Sequence, residues 1–139
     1  MSIGHGLLNT LIGIRALQEG YTDALIGGFT IAYYLGFIVG TYVAVRWVNQ
    51  VGHIRTFAAC ATLASSLTLG FVLAVDPVGW TIFRFVYGIM IAGLYMVIES
   101  WLNGVSQNKE RGRILSFYMI ISYFSIMLAQ GFIIIATTD

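Results

Sequence analysis

Charged residues are scarce in this sequence. They make up 9% of the 139 residues, whereas hydrophobic residues make up 58%. About a quarter of the residues of a soluble domain are charged, so this composition excludes most soluble folds. It also excludes a disordered chain, which would be poor in apolar residues. The net charge is +1 and no block of basic residues is present, so no nucleic-acid partner is predicted.

Cysteine is nearly absent, and so are the sequence motifs of enzymes. The single cysteine, Cys60, can form no disulfide within the chain and has no metal-ligand spacing around it. We interpret it as a small packing residue in an apolar run. No nucleophile–base motif, metal-ligand cluster or phosphate-binding glycine loop is found, so we predict no enzyme activity and no cofactor. The N-terminus lacks a basic region and a small-residue cleavage site, so no signal peptide is predicted.

Long apolar runs dominate the sequence. A helix needs about 20 mostly apolar residues to cross a bilayer. Four segments satisfy this requirement: 24–46, 56–75, 78–101 and 114–136. A fifth segment, 3–15, would rise only about 20 Å, and we interpret it as the end of a helix that begins before the sequence does. The predicted fold is all-α: a polytopic membrane helix bundle of about five transmembrane helices, in which residues 1–139 form a single incomplete transmembrane domain.

Charges between these segments predict the topology. Five of the seven basic residues fall in the second and fourth connections, loops 46–55 and 102–113. The first and third connections hold one arginine and three acidic residues. Because cytoplasmic loops are enriched in lysine and arginine, we expect these two loops to be cytoplasmic, in a cell (inner) membrane, with Asp139 outside.

The second segment has a small residue at every fourth position. These positions share one helix face, along which another helix can approach closely. They are Gly28, Ala32, Gly36, Gly40 and Ala44. Such a row predicts helix packing, and it is equally compatible with a transporter, a channel or a receptor.

Two ionisable residues, Arg84 and Glu99, lie within the fourth segment. A charge at membrane depth is costly, so such residues usually face a partner or a water-filled cavity. With Gly88, Ala92 and Tyr95 they fall within an arc of about 80° of the helix surface, which predicts a functional face. The two charges are about 22 Å apart along the helix and cannot pair. Snorkelling of Arg84 to the outer interface and a contact of Glu99 with a cytoplasmic loop are the alternatives.

Polar residues of other segments are candidates for the same face. His5 and Asn9 lie four residues apart in the first segment, and Gln130 lies midway along the fifth, near Ser122 and Ser125. Hydrogen bonding between helices is their alternative role. His5 is also a candidate for proton handling, because histidine titrates near neutral pH.

The start of the fourth segment resembles the helix-four motif of the major facilitator superfamily. Arg84 is followed by Gly88 and then by the small residues Ala92 and Gly93, as in that motif. The region from Gly93 to Asn103 is similar to a YcaD-like branch of bacterial transporters.

The stretch between the second and third segments resembles the signature loop of the same superfamily. Gly52 and Arg55 match the pattern, and His53 stands at a basic position. Asn49 stands where an aspartate is usual, and Gln50 where a base is usual. In the family this loop gates the conformational change through charge pairs, and the sequence lacks the acid of that switch.

The resemblance implies the N-terminal half of a twelve-helix transporter, built of two inverted three-helix repeats. In that fold helices one and four line the central cavity, and helices two and five face the other half. The implied partners are a small-molecule substrate, the lipid bilayer and a missing C-terminal half.

We therefore expect a secondary active, proton-coupled transporter that moves a small solute by alternating access. The expected substrate-path or proton-coupling residues are Arg84, Glu99, Tyr95, Gly88, Asn9 and Gln130. The expected gating loop contains Asn49, Gly52, His53 and Arg55. An inactive fragment, and a membrane receptor or assembly subunit without transport, are the alternatives.

Overall fold

The computed structural model describes residues 2–73, 76–106 and 110–138, which form five α-helices. They are α1 (Ser2–Gln18), α2 (Asp23–Val51), α3 (His53–Leu73), α4 (Pro77–Val105) and α5 (Arg111–Thr138). In the described residues, α2 to α5 are long and apolar enough to cross a membrane. The 17 residues of α1 rise about 25 Å, less than the roughly 30 Å hydrocarbon core. The prediction of an all-α membrane helix bundle is confirmed.

Helices α2 and α4 continue beyond the apolar segments that predicted them. Helix α2 runs five residues past Arg46 to Val51, and α4 continues to Val105. The prediction that residues 46–55 form a loop is wrong, because only Gly52 lies between the two helices. Polar residues do not interrupt a helix when its backbone hydrogen bonds can continue through them. In the third and fourth connections, residues 74–75 and 107–109 lie outside the described residues.

Gly52 makes the turn between α2 and α3. Its φ of 86° lies in the left-handed region, which glycine adopts without the steric cost of a Cβ. Its amide donates to the Val48 carbonyl at 3.0 Å and closes the last turn of α2. Its carbonyl accepts from the amide of Thr56 at 3.2 Å and from the Thr56 hydroxyl at 2.9 Å. One residue therefore ends one helix and supports the first turn of the next.

Helix α4 begins at an Asp-Pro pair. Oδ1 of Asp76 accepts a hydrogen bond from the amide of Gly79 at 2.8 Å, which satisfies a free donor of the first turn. Pro77 occupies the first helical position, where its missing amide proton costs nothing. Asp76 and Pro77 therefore form the N-terminal cap of α4.

The chain divides into two compact units. One, the α1/α5 pair, comprises residues 1–22 and 105–139, and the other, the α2–α4 unit, comprises residues 23–104. In the α1/α5 pair, Gly6 allows close packing, because a Cβ there would lie 3.3 Å from the Cβ of Ala129. In the α2–α4 unit, Trp80 packs against Phe29 and Phe71, with ring centroids 5.7 Å and 6.1 Å apart.

Candidate functional site

Helices α2 and α4 are in backbone contact along the row of small residues. A Cβ on Gly36 would overlap the carbonyl of Phe85, and a Cβ on Gly40 would lie 2.8 Å from the Cα of Ile89. From the α4 side, a Cβ on Gly88 would overlap the carbonyl of Tyr33. Four members of the predicted row are buried: Ala32, Gly36, Gly40 and Ala44. The row therefore serves packing within this unit, as its spacing predicts.

Arg84 is buried beside an aromatic side chain of α2. Only 4% of its surface is exposed, and its guanidinium carbon lies 5.4 Å from the ring centroid of Tyr33. Such a cation–π contact contributes about 2 kcal/mol or more when it is desolvated. A snorkelling arginine would expose its head group, so the structure favours the interpretation that Arg84 has partners inside the protein.

Aromatic rings extend from Arg84 along the α2–α4 contact. The Tyr33 ring lies 6.3 Å from Tyr87 and 6.2 Å from Phe37, measured between ring centroids. Phe37 in turn lies 6.4 Å from Tyr95. Arg84 and Tyr95, which the helical spacing placed on one face, are thus connected through residues of α2. A guanidinium beside aromatic faces can hold an anionic group together with an apolar or aromatic moiety.

The predicted functional face of α4 is the face that packs against α2. Arg84 contacts Tyr33, Gly88 meets the α2 backbone, and Ala92 would lie 2.7 Å from a Cβ placed on Gly40. The periodicity correctly grouped these residues, but it could not say which helix they would meet. In this unit Gly88 is a packing residue.

Glu99 lies at the other end of that face. It is half-buried, and it makes no hydrogen bond or ion pair with any residue that the structure describes, Arg84 included. The neighbouring Ser100 is hydrogen-bonded through Oγ to Nε2 of His53 at 3.0 Å. This bond connects the first residue of α3 to α4 beside Glu99.

The predicted gating residues therefore have three different environments. Gly52 forms the turn, and His53 is tied to α4 through Ser100. Asn49 and Arg55 are exposed, on α2 and α3 respectively. The bond between His53 and Ser100 forms with Asn49, and not an aspartate, at the acidic position of the loop pattern.

The α1/α5 pair contains the remaining candidates. Thr10 of α1 donates from its hydroxyl to Oε1 of Gln130 at 3.1 Å and accepts from Nε2 of Gln130 at 3.0 Å. This is the inter-helix hydrogen bonding given above as the alternative role of Gln130. Asn9 Nδ2 and His5 Nε2 are hydrogen-bonded at 3.0 Å along α1.

Five side chains of these contacts were not identified from the sequence: Thr10, Tyr33, Phe37, Tyr87 and Ser100. Thr10, Tyr33 and Phe37 have no motif around them, whereas Tyr87 and Ser100 lie in the stretches that carry the family resemblance without being distinctive there. The only sequence signal was position, since Tyr33 adjoins the small-residue row and Ser100 adjoins Glu99. Over the described parts of the chain, no three His, Cys, Asp or Glu side chains converge as metal ligands would.

Comparison with known proteins supports the resemblance carried by these motifs. The sequence model of the Major Facilitator Superfamily matches residues 1–138. The chain belongs to the major facilitator superfamily. With its long apolar helices, this major facilitator chain is a multi-pass membrane protein.

Bacterial transporters are among the curated relatives of this major facilitator chain. An uncharacterized MFS-type transporter of Yersinia pestis is 29% identical over 138 residues, which cover 99% of this chain and 36% of the relative. The MFS-type transporter YcaD of Escherichia coli is 28% identical over 130 residues, covering 94% of this chain and 34% of YcaD. The chain thus spans about a third of the length of these relatives. No solved structure matches it.

Proposed function

We propose that this chain is part of a secondary transporter that moves a small solute across the cell (inner) membrane by alternating access. The observation that carries the proposal is the superfamily match over residues 1–138. In the complete protein a C-terminal half would supply the rest of the solute path, and the two halves would rock about it. Residues 46–55 and 102–113 would face the cytoplasm, as their basic residues favour.

Arg84 is the proposed centre of solute recognition or proton coupling. Its burial and its contact with Tyr33 support this proposal, because a desolvated guanidinium interacts strongly with anions. Tyr95 and Glu99 follow on the same helix face. Asn9 and Gln130 are the proposed solute-path or proton-coupling residues of the α1/α5 pair. Gly88 would act indirectly, by allowing α4 to lie close to α2.

The α2–α3 turn is the proposed gate. Gly52 makes the turn and His53 ties it to Ser100, so movement of α2 and α3 past α4 requires this hydrogen bond to open. Asn49 and Arg55 would meet the other half of the transporter or the membrane surface.

Transport by the complete protein in proteoliposomes tests the function. With an imposed pH gradient and a panel of small organic anions and drugs, we expect gradient-dependent uptake of at least one compound. Arg84→Ala should lower the initial rate about tenfold or more, since a hydrogen bond to a charged group contributes about 1.5–3 kcal/mol. Arg84→Lys should restore part of the rate.

Arg113→Ala is the matched control, because Arg113 is exposed and outside the proposed path. Its rate should equal that of the wild type. Normal transport by folded Arg84→Ala protein would refute the role of Arg84. Solute uptake that does not depend on the pH gradient would refute only the proton coupling. The absence of uptake by well-folded wild-type protein would favour a receptor or assembly subunit.

A further inference from the structure

A groove lies between α2 and α3, close to the Gly52 turn. Its volume is about 260 Å³, and its walls include Trp47 and Val51 of α2 and Ala59 and Leu63 of α3. Clefts for drug-sized ligands begin at about 300 Å³. The groove is therefore smaller than a typical ligand cleft. Its apolar walls suit a narrow apolar segment better than a compact polar solute.

The rim of this groove is positively charged. Arg55 lines it. Among Asp, Glu, Lys and Arg residues, Arg46 is the only other one between positions 24 and 75. No acidic residue occurs in this stretch, and neither arginine forms an ion pair within the described residues. Both arginines are exposed, so their charge is available to an anion from outside the protein.

Trp47 indicates the depth of the groove. Tryptophan is enriched where the hydrocarbon core meets the headgroups, and Trp47 lies one residue from Arg46. Along the groove, apolar walls are followed by an arginine near an interfacial tryptophan. A phospholipid has the complementary groups in the same order, an acyl chain followed by a phosphate.

We propose that this groove binds an anionic phospholipid, with an acyl chain between α2 and α3 and the phosphate on the Arg55 guanidinium. The planar guanidinium can donate two parallel hydrogen bonds to a phosphate, which a neutral side chain cannot do. Arg46 does not line the groove, but it adds positive charge one residue before the lining Trp47. The apolar walls alone would accept the chain of any lipid, so the arginines confer the preference for negative charge. This site does not depend on transport by the protein.

Native mass spectrometry of the complete protein, with equal amounts of phosphatidylglycerol and phosphatidylethanolamine, tests the proposal. We expect phosphatidylglycerol to bind preferentially to the wild type. Arg55→Gln should weaken its binding about fivefold, the loss expected for one basic residue near an anionic surface. Arg113→Gln removes the same charge from a residue that does not line the groove, and it should leave binding unchanged.

Two neighbouring alanines test the groove itself. Ala59→Phe fills it, whereas Ala58→Phe adds the same ring to an adjacent exposed residue of α3 that does not line it. Only Ala59→Phe should displace the lipid. Equal effects of the two substitutions would overturn the site. Equal binding of both lipids, unchanged by Arg55→Gln, would overturn the charge recognition. A wild type that retains no phospholipid would show that other parts of the complete protein fill the groove, which also overturns the proposal.

Discussion

Replacing Gly88 by alanine should separate α2 from α4. The added Cβ would overlap the Tyr33 carbonyl and would lie 2.9 Å from the amide nitrogen of Phe37 and 3.2 Å from the carbonyl carbon of Gly36. All three neighbours are backbone atoms, so no change of rotamer can relieve the overlap. Overpacking costs about 1–3 kcal/mol, and a rigid backbone contact favours the upper end of this range.

Gly104→Ala is the matched control on the same helix. A Cβ on Gly104 has no neighbour within 4 Å, and alanine is preferred to glycine in a helix by roughly 0.5–1 kcal/mol. The two variants should therefore differ by about 3 kcal/mol, which is roughly a hundredfold in the folding equilibrium.

Equilibrium unfolding of the complete protein in SDS mixed micelles, followed by circular dichroism, measures this difference. We expect Gly88→Ala to unfold at a much lower SDS fraction than Gly104→Ala, which should match the wild type or slightly exceed it. If both variants unfold together with the wild type, α4 does not approach α2 at Gly88, and the packing described above is wrong.

Two further predictions concern hydrogen bonds between helices. The losses of unfolding free energy in Thr10→Val and Gln130→Leu should be coupled by about 0.6 kcal/mol, and by no more than about 1.7 kcal/mol, because hydrogen bonds between membrane helices have these coupling energies. Additive losses of stability in SDS unfolding would contradict the hydrogen bond. His53→Phe and Ser100→Ala should change the transport rate by the same factor singly and together, because either one breaks the connection between α3 and α4. Independent, multiplicative effects on the rate would show that this bond does not act in gating.

Helix number and position were predictable because they depend on local composition. A bilayer-spanning helix requires a long apolar run, and every such run appears as a helix in the structure. Helix ends were less predictable. The polar residues Asn49 and Gln50 suggested a loop, yet they continue α2, because a helix can extend into the headgroup region with its hydrogen bonds intact.

The candidate site was predictable only in part. The 3.6-residue period placed Arg84, Gly88 and Tyr95 on one face of α4 without any structure. It could not identify Tyr33 as the residue against which Arg84 packs, because the two lie on different helices and no motif joins them. Likewise, Gln130 was recognisable as a polar residue at membrane depth, but its bond to Thr10 spans 120 positions of sequence.

By itself, the sequence determined that this chain is a membrane protein, where its apolar spans lie and which residues share a helix face. These properties follow from hydrophobicity and from the fixed geometry of a single helix. Only the tertiary structure decided that the small-residue row of α2 meets Gly88, that Arg84 lies beside Tyr33, and that His53 reaches Ser100. Those contacts depend on which helices are neighbours, and the packing of one helix against another is a property of both surfaces together.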